Sequence, residues 1–223
     1  MIKYPVNEIF TTIQGEASHQ GKPSHFIRLQ GCDVGCPWCD TKETWAKEES
    51  HRVELSEIIT KTQPGPTWAS ASAQELLELT QQYPQSGVRH IVVTGGEPCL
   101  YDLGELTNLF MMAGYRVQVE TSGTERIQAA LGTWITVSPK IGMPGGKELI
   151  RPAIERANEI KMVIGKMADI AKLDEFLETY RPDCPIWIQP LSLSPKSTEV
   201  CMKLCTERGY RLSVQWHRMI GIR

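Results

Sequence analysis

Short β-branched and aromatic runs alternate with amphipathic stretches through most of the chain, and that alternation limits the fold more than any other feature. Apolar runs at 25–30, 90–94, 116–120, 134–138, 159–163, 185–189 and 211–215 predict strands. Between them a 3.6-residue periodicity predicts helices at 73–83, 102–113, 124–131, 167–180 and 195–208. Ser194 before Pro195 reads as an N-cap with proline in the first helical position, and Asp102 as a cap or first-turn acid. Strand, helix, strand repeated in this way implies parallel strands with helices packed outside. Six or seven strands are too few for a closed eight-fold barrel. The expected class is therefore α/β, with a partial, open parallel β/α barrel.

A chain of 223 residues fits one domain, 1–223, able to bury roughly 70% of its unfolded surface around a single core. The stretch 42–72 interrupts the pattern with the charges Lys47-Glu48-Glu49 and the breaker Gln63-Pro64-Gly65-Pro66. It reads as an irregular insertion over one edge. A formal charge of −2 with scattered Lys and Arg gives no basic footprint, which argues against direct nucleic-acid binding. The first residues lack the apolar stretch of a signal peptide, and no run approaches the length of a bilayer span. No membrane binding and a cytoplasmic location are expected.

In open parallel sheets chemistry collects at the carboxyl ends of the strands. Cys32, Cys36 and Cys39 follow the strand at 25–30, and Thr94-Gly95-Gly96-Glu97-Pro98 ends the next. Glu120-Thr121-Ser122-Gly123-Thr124, Ser138-Pro139-Lys140 and Gln189-Pro190 close three more. The Cys-x3-Cys-x2-Cys spacing lets a short loop give one thiolate to each of three irons of a 4Fe-4S cubane, which leaves the fourth iron open. A structural zinc site would want a fourth ligand, usually within a second Cys or His pair, and His25 and His51 are not placed as one. Cys201 and Cys205 repeat half of the spacing on a predicted helix, where positions four apart merely share a face. With Cys99 and Cys184 they read as buried thiols.

The triad, with Trp38 just before its third cysteine, and the Gly95-Gly96-Glu97-Pro98 turn after a strand together resemble the radical S-adenosylmethionine superfamily. That resemblance implies an open iron that chelates the amino and carboxylate groups of S-adenosylmethionine, with glycines letting the backbone approach the methionine amino group. Ile13-Gln14-Gly15-Glu16, Arg28, Cys39-Asp40-Thr41 and Ser138-Pro139-Lys140 narrow it further. From about residue 7 to its end the chain is similar to the 7-carboxy-7-deazaguanine synthase family. The family's reaction turns 6-carboxy-5,6,7,8-tetrahydropterin into 7-carboxy-7-deazaguanine with loss of ammonia, on the route to 7-deazapurines such as queuosine. Mg2+, a homodimer and an electron-donating reductase or flavodoxin are implied by the resemblance alone.

Carried over residue by residue, the resemblance sets the Ile13-Gln14-Gly15 backbone and Glu16 against the pterin's hydrogen-bonding edge, where a carboxylate can accept two N–H bonds. It pairs Arg28 with the substrate carboxylate, makes Thr94 a substrate contact and brings Arg223 near the substrate. Trp38, Cys39, Asp40, Gly95, Gly96, Glu97, Ser138, Pro139, Lys140 and Gln189 fall in the S-adenosylmethionine pocket, and Thr41 becomes the Mg2+ ligand. Plainer readings stand beside these: Glu16 as a solvated turn acid, and Arg28 in a structural salt bridge. The chain departs from the family at Ala17, where glycine is frequent, and at Gln215-Trp216-His217-Arg218, where Gln-Thr-His-Lys is common. Two other functions remain open. One is a radical enzyme that activates a partner protein, which leaves Gln14, Glu16, Arg28 and Thr41 unexplained. The other is a non-catalytic metal or electron-transfer module, which leaves Ser138-Pro139-Lys140 idle.

Overall fold

A computed structural model describes residues 2–82 and 87–222. Tyr83, at the end of the first expected helix, and Arg223 lie outside the described residues. The chain runs β1 (Lys3–Gln14), β2 (Lys22–Leu29), α1 (Leu55–Ile59), β3 (Ala69–Ser72), α2 (Ala73–Gln82), β4 (His90–Gly95), α3 (Gly104–Met112) and β5 (Arg116–Thr121). It continues with β6 (Trp134–Val137), α4 (Arg151–Glu155), β7 (Glu159–Ile164), α5 (Ala168–Tyr180), β8 (Ile186–Pro190), α6 (Pro195–Arg208), β9 (Arg211–Leu212) and α7 (Trp216–Ile220).

All nine strands form one sheet in the order β3-β1-β2-β4-β5-β6-β7-β8-β9. From β2 outward to β9 every neighbouring pair is parallel. These are the expected strands, and because the edge strands β3 and β9 do not pair with each other, the barrel is open. β1 and β3 are additional and antiparallel. Their sequences hide them. In β1, Pro5, Asn7 and Glu8 interrupt the apolar alternation, yet Asn7 is fully buried and donates to Gln30 Oε1 at 2.7 Å and to the Gly65 and Thr67 carbonyls. β3 is four residues of Ala and Ser, with little strand propensity of its own. The stretch 42–72 carries two 3-10 turns and α1, and its end is β3, which pairs with β1 to form one edge of the sheet.

The helix expected at 124–131 does not form, and the hydrogen bonds show why. The Gln128 carbonyl accepts from Leu103 N at 2.7 Å, and the Arg156 guanidinium takes the Ile127, Ala129 and Ala130 carbonyls. Those carbonyls would otherwise close helical turns. The stretch expected as a strand up to 215 pairs only at Arg211–Leu212, and Trp216 begins α7. Ser194 does cap α6, accepting from Ser197 N at 3.1 Å, with Pro195 in the first turn.

The sheet's two faces differ, and the difference places the site. Ile27, Leu29, Ile91, Val93, Val119, Ile135, Val137, Ile160 and Ile188 share one face and bury against Leu106, Phe110, Leu173, Phe176 and Leu204 of the outer helices. The alternate positions point inward and are mostly polar, among them Arg28, Thr94, Gln118, Glu120, Thr136, Glu159, Lys161 and Gln189, with Phe26 and Val163 as apolar members. The β1–β2 connection closes the barrel at the amino ends of its strands. Ala17 N reaches Ser213 Oγ at 3.0 Å, Ser18 N reaches Glu159 Oε2 at 3.1 Å, and the His19 ring stacks edge-on against those of His90 and Trp134. No helix among the described residues is long and apolar enough to cross a membrane.

Candidate active site

The polar inner face and the carboxyl-end loops enclose a cavity of about 300 Å³, the size of a small-molecule site. Every expected site residue lines it except Pro139, which borders an adjoining space with Trp38 and Lys140, and Arg223, which lies outside the described residues. Motifs spread from Ile13 to Gln189 thus meet in one place because each ends, or points inward from, a strand of the same curled sheet.

The cysteine loop is tied down on both sides. Gly31 N donates to Thr44 O at 2.7 Å, Cys32 N to Trp45 O at 3.0 Å, and Tyr101 OH to Gln30 O at 2.7 Å. Cys32, Cys36 and Cys39 cluster with Val34 and Met143, apart from the main core. Thr41 N and Trp45 Nε1 each donate to Cys39 Sγ at 3.4 Å, the kind of N–H contact that supports a cluster-bound sulfur. Burial pushes the Cys32 thiol up to about 11 and raises Cys36 as well, so iron binding must displace their protons. Among the described residues no three His, Cys, Asp or Glu side chains close around a single ion. A cubane asks for something different, one sulfur on each of three irons, and three sulfurs on one loop facing one cavity fit that demand.

Glycines at the end of β4 have a tighter task than expected. A Cβ on Gly95, whose φ is +132°, would stand 2.2 Å from Leu29 O, and one on Gly96 would stand 2.1 Å from Gly31 O. The turn therefore lies directly on the chain's own cysteine loop, with Gly96 N donating to Leu29 O and Glu97 N to Gly31 O. Glu97 is buried and accepts from Cys99 N, Thr121 Oγ1 at 2.6 Å and Ser122 N at 2.8 Å, which fixes the loop after β5. One of its roughly four lone-pair directions remains for a ligand. Lys140 Nζ donates to Ser138 Oγ at 2.7 Å, and Gly145 N to Val34 O, so the loop after β6 also leans on the cysteines.

Glu16 is not a solvated turn acid. Its Oε2 is 2.5 Å from Lys161 Nζ, and its Oε1 accepts from Gln189 Nε2 at 3.2 Å and Gln215 Nε2 at 3.0 Å. Burial pushes this carboxyl up, but the Lys161 ammonium and the hydrogen bonds from Lys161 and Gln215 outweigh it and bring the group down to about 2. Lys161 also sits 2.7 Å from Glu120 Oε2. Burial together with the Glu16 charge raises Glu120 despite that ammonium, and the two carboxylates hold Lys161 above the ordinary lysine range against the pull of burial. Arg28 lines the cavity while its Nε donates to the buried Glu8 at 3.0 Å, so a structural ion pair orients it there. Thr41 Oγ1 lies 3.6 Å from Cys39 Sγ, and Asp40 reaches Arg218 at 3.5 Å.

Sequence reasoning missed Glu8 and Lys161, and it named Glu120 in a strand-end motif and Gln215 in the departing segment without giving either a role. A signal existed for Lys161: a lysine in the middle of a strand that reads as buried is as costly without a partner as Arg28. Gly15, too, does more than turn, since a Cβ there would stand 2.7 Å from His217 Nδ1, and its carbonyl accepts from Trp216 N. The departing Gln215–Arg218 segment thus packs on the Gln14–Glu16 motif.

Comparison with known proteins agrees with this geometry. The Radical SAM superfamily model matches residues 26–174. The chain is 47% identical to the 7-carboxy-7-deazaguanine synthase of Escherichia coli, over 99% of this chain and 100% of that protein. It is 42% identical to the enzyme of the same name from Buchnera aphidicola, covering 99% of each, and 32% identical to that of Synechocystis, covering 100% of this chain and 95% of the other. Among solved structures, the crystal structure of QueE from Escherichia coli superposes with a TM-score of 0.92 at 46% identity, covering 96% of this chain and 94% of that one.

Proposed function

Because the chain belongs to the radical S-adenosylmethionine superfamily and, within it, to the 7-carboxy-7-deazaguanine synthase family, we propose that it carries out the family's ring contraction. As a carbon–nitrogen lyase it converts 6-carboxy-5,6,7,8-tetrahydropterin to 7-carboxy-7-deazaguanine with loss of ammonia, in the biosynthesis of queuosine and related 7-deazapurines. The observation that carries this reading is the meeting of the three-cysteine loop with Glu16 and Arg28 in one cavity of small-molecule size. A partner-activating enzyme has no use for that enclosed carboxylate and guanidinium.

When bound, the 4Fe-4S cluster and S-adenosylmethionine supply a one-electron reduction and a hydrogen-abstracting radical. Cys32, Cys36 and Cys39 hold the cluster. Trp38, Asp40, Gly95, Gly96, Glu97, Ser138, Pro139, Lys140 and Gln189 surround the cosubstrate, and several of them act by pinning one loop on another. Glu16 and the Ile13-Gln14-Gly15 backbone meet the pterin edge, Arg28 pairs with its carboxylate, and Thr94 completes the contact. Three donors already occupy the Glu16 carboxylate, so one lone-pair direction is open to the pterin rather than two. Holding the ring fixed while the skeleton rearranges is the main catalytic task left to the chain.

Thr41, at the cavity beside Cys39, supplies a hydroxyl oxygen suited to Mg2+, a hard cation that keeps several waters and bridges to substrate oxygens. The family relationship supports a homodimer and a reductase or flavodoxin as electron donor. Seven free cysteines support a reducing, cytoplasmic location. The deciding experiment is an anaerobic assay of the reconstituted protein with the carboxylated tetrahydropterin, Mg2+ and reductant. Formation of 7-carboxy-7-deazaguanine is expected. Release of 5′-deoxyadenosine without that product would point to a different radical enzyme, and neither product to a metal module.

A further inference from the structure

Lys161 rises from the middle of β7 onto the polar inner face, with its side chain only 7% exposed. Its ammonium has three N–H donors, and two meet carboxylates, Glu16 at 2.5 Å and Glu120 at 2.7 Å. Glu120 accepts in addition from Gln118 Nε2 at 2.9 Å and Gln14 Nε2 at 3.3 Å. Glu16 and Lys161 both line the cavity, so the pair offers a ligand one acceptor lone pair beside one N–H donor. With Lys140 facing the same cavity, Glu16, Glu120 and Lys161 form a buried cluster of ionisable groups, an arrangement costly to hold for fold stability alone. The 2-amino-4-oxo ring of a pterin carries the complementary pair along its lactam edge, an N–H next to a C=O.

We propose that Lys161 is a specificity residue that donates to the ring carbonyl oxygen of the pterin while Glu16 accepts the adjacent ring N–H, with Glu120 as the positioning residue that orients Lys161. The assignment rests on the reading of Glu16 as a pterin contact. Its consequence is discrimination against a 4-amino ring, in which both groups of the lactam edge are inverted. A site with buried polar groups matched to one edge rejects the mismatched edge by on the order of a hundredfold or more.

The test uses the anaerobically reconstituted full chain and two probes, 6-carboxytetrahydropterin and its 4-amino counterpart. Wild-type protein should bind the 4-oxo ring about a hundredfold more tightly. Lys161→Met combined with Glu120→Gln keeps the net charge of the triad, and it should reduce that ratio at least about tenfold while leaving S-adenosylmethionine affinity and iron content unchanged. An undiminished ratio in the double variant overturns the role of Lys161. Should that variant fail to fold, a wild-type ratio near one overturns the proposal by itself. Glu16→Gln separates the premise from the inference. Unchanged affinity for both rings there defeats the reading of Glu16, whereas weakened affinity with an intact ratio in the double variant defeats only that of Lys161.

Discussion

Gly96 lies so close to Gly31 that a Cβ on it would stand 2.1 Å from the Gly31 carbonyl oxygen and 2.9 Å from Cys32 Cβ. Neither neighbour is the free end of a flexible side chain, so the strain of Gly96→Ala must move the turn after β4 or the cysteine loop itself. The expected outcome is a stability loss of about 1–3 kcal/mol together with reduced iron per chain after anaerobic reconstitution. Gly65→Ala is the control. Its Cβ would meet only the end of the Lys61 side chain at 4.0 Å. Equal iron content in the two variants would separate the turn from the cluster loop.

Cys36 and Cys201 are both buried, but in different surroundings. Cys36 belongs to the small cluster that faces the cavity, whereas Cys201 is fully buried among the core residues of α6 and the sheet. Cys36→Ala should therefore lose the visible absorption of the reconstituted cluster and with it S-adenosylmethionine cleavage. Cys201→Ala should keep both and lose about 1 kcal/mol of stability for its missing sulfur contacts. A Cys36→Ala protein with a full iron complement contradicts the ligand assignment.

What could be read in the sequence followed the strength of local pattern. The parallel strands were legible because one face of each is apolar and packs on helices, as in Ile91 and Val93 or Ile160 and Ile164. β1 was not, because its buried Asn7 and Glu8 are satisfied by Gln30, Gly65, Thr67 and Arg28, partners remote in sequence. The helix expected at 124–131 had the right period, but Arg156, itself outside that window, took its carbonyls. In the site, residues carried by compact motifs were legible, and Lys161, which works singly from the inner face, was not. Ala17 is informative in another way: at φ +53° it occupies the left-handed region that favours glycine, the residue frequent there in the family.

Thr41 offers a hydroxyl at the cavity wall, 3.6 Å from the sulfur of Cys39. If it helps hold Mg2+ against the substrate carboxylate, Thr41→Ala removes one oxygen ligand and leaves the iron ligands untouched. The half-saturating Mg2+ concentration for product formation should rise severalfold, on the order of tenfold for a lost ligand of this kind, with iron content and S-adenosylmethionine affinity unchanged. Thr41→Ser, which keeps the hydroxyl, should restore most of the wild-type value. Identical metal dependence in all three proteins rules the assignment out.

His90, at the amino end of β4, should make the fold sensitive to mild acid. Its ring is 1% exposed, its Nδ1 lies 2.8 Å from Ser24 Oγ, and among the described residues its Nε2 has no hydrogen-bond partner. Burial first, then the positive influence of His19, Lys22 and Arg116, pulls the group down to about 3. The unfolded chain, with histidine near 6.5, thus binds a proton more readily than the folded one. Stability from keeping His90 neutral is fully present above pH 6.5 and declines as the pH falls toward 3, by about 1.4 kcal/mol per unit. Between pH 7.5 and 5.0 this amounts to roughly 2 kcal/mol, from the unit and a half below 6.5. His90→Gln cannot take up that proton, though it retains an amide to meet Ser24. The variant starts less stable at pH 7.5, since it repacks a buried ring, but its urea-unfolding free energy should fall less on acidification, by about that 2 kcal/mol, in samples of matched cluster content. His19, which is also depressed by burial, packs against His90 and couples to it, so the comparison is repeated in a His19→Gln background, where the same difference should persist. Parallel losses in wild type and variant would mean that the acid sensitivity lies elsewhere and that His90 accommodates its charge in place.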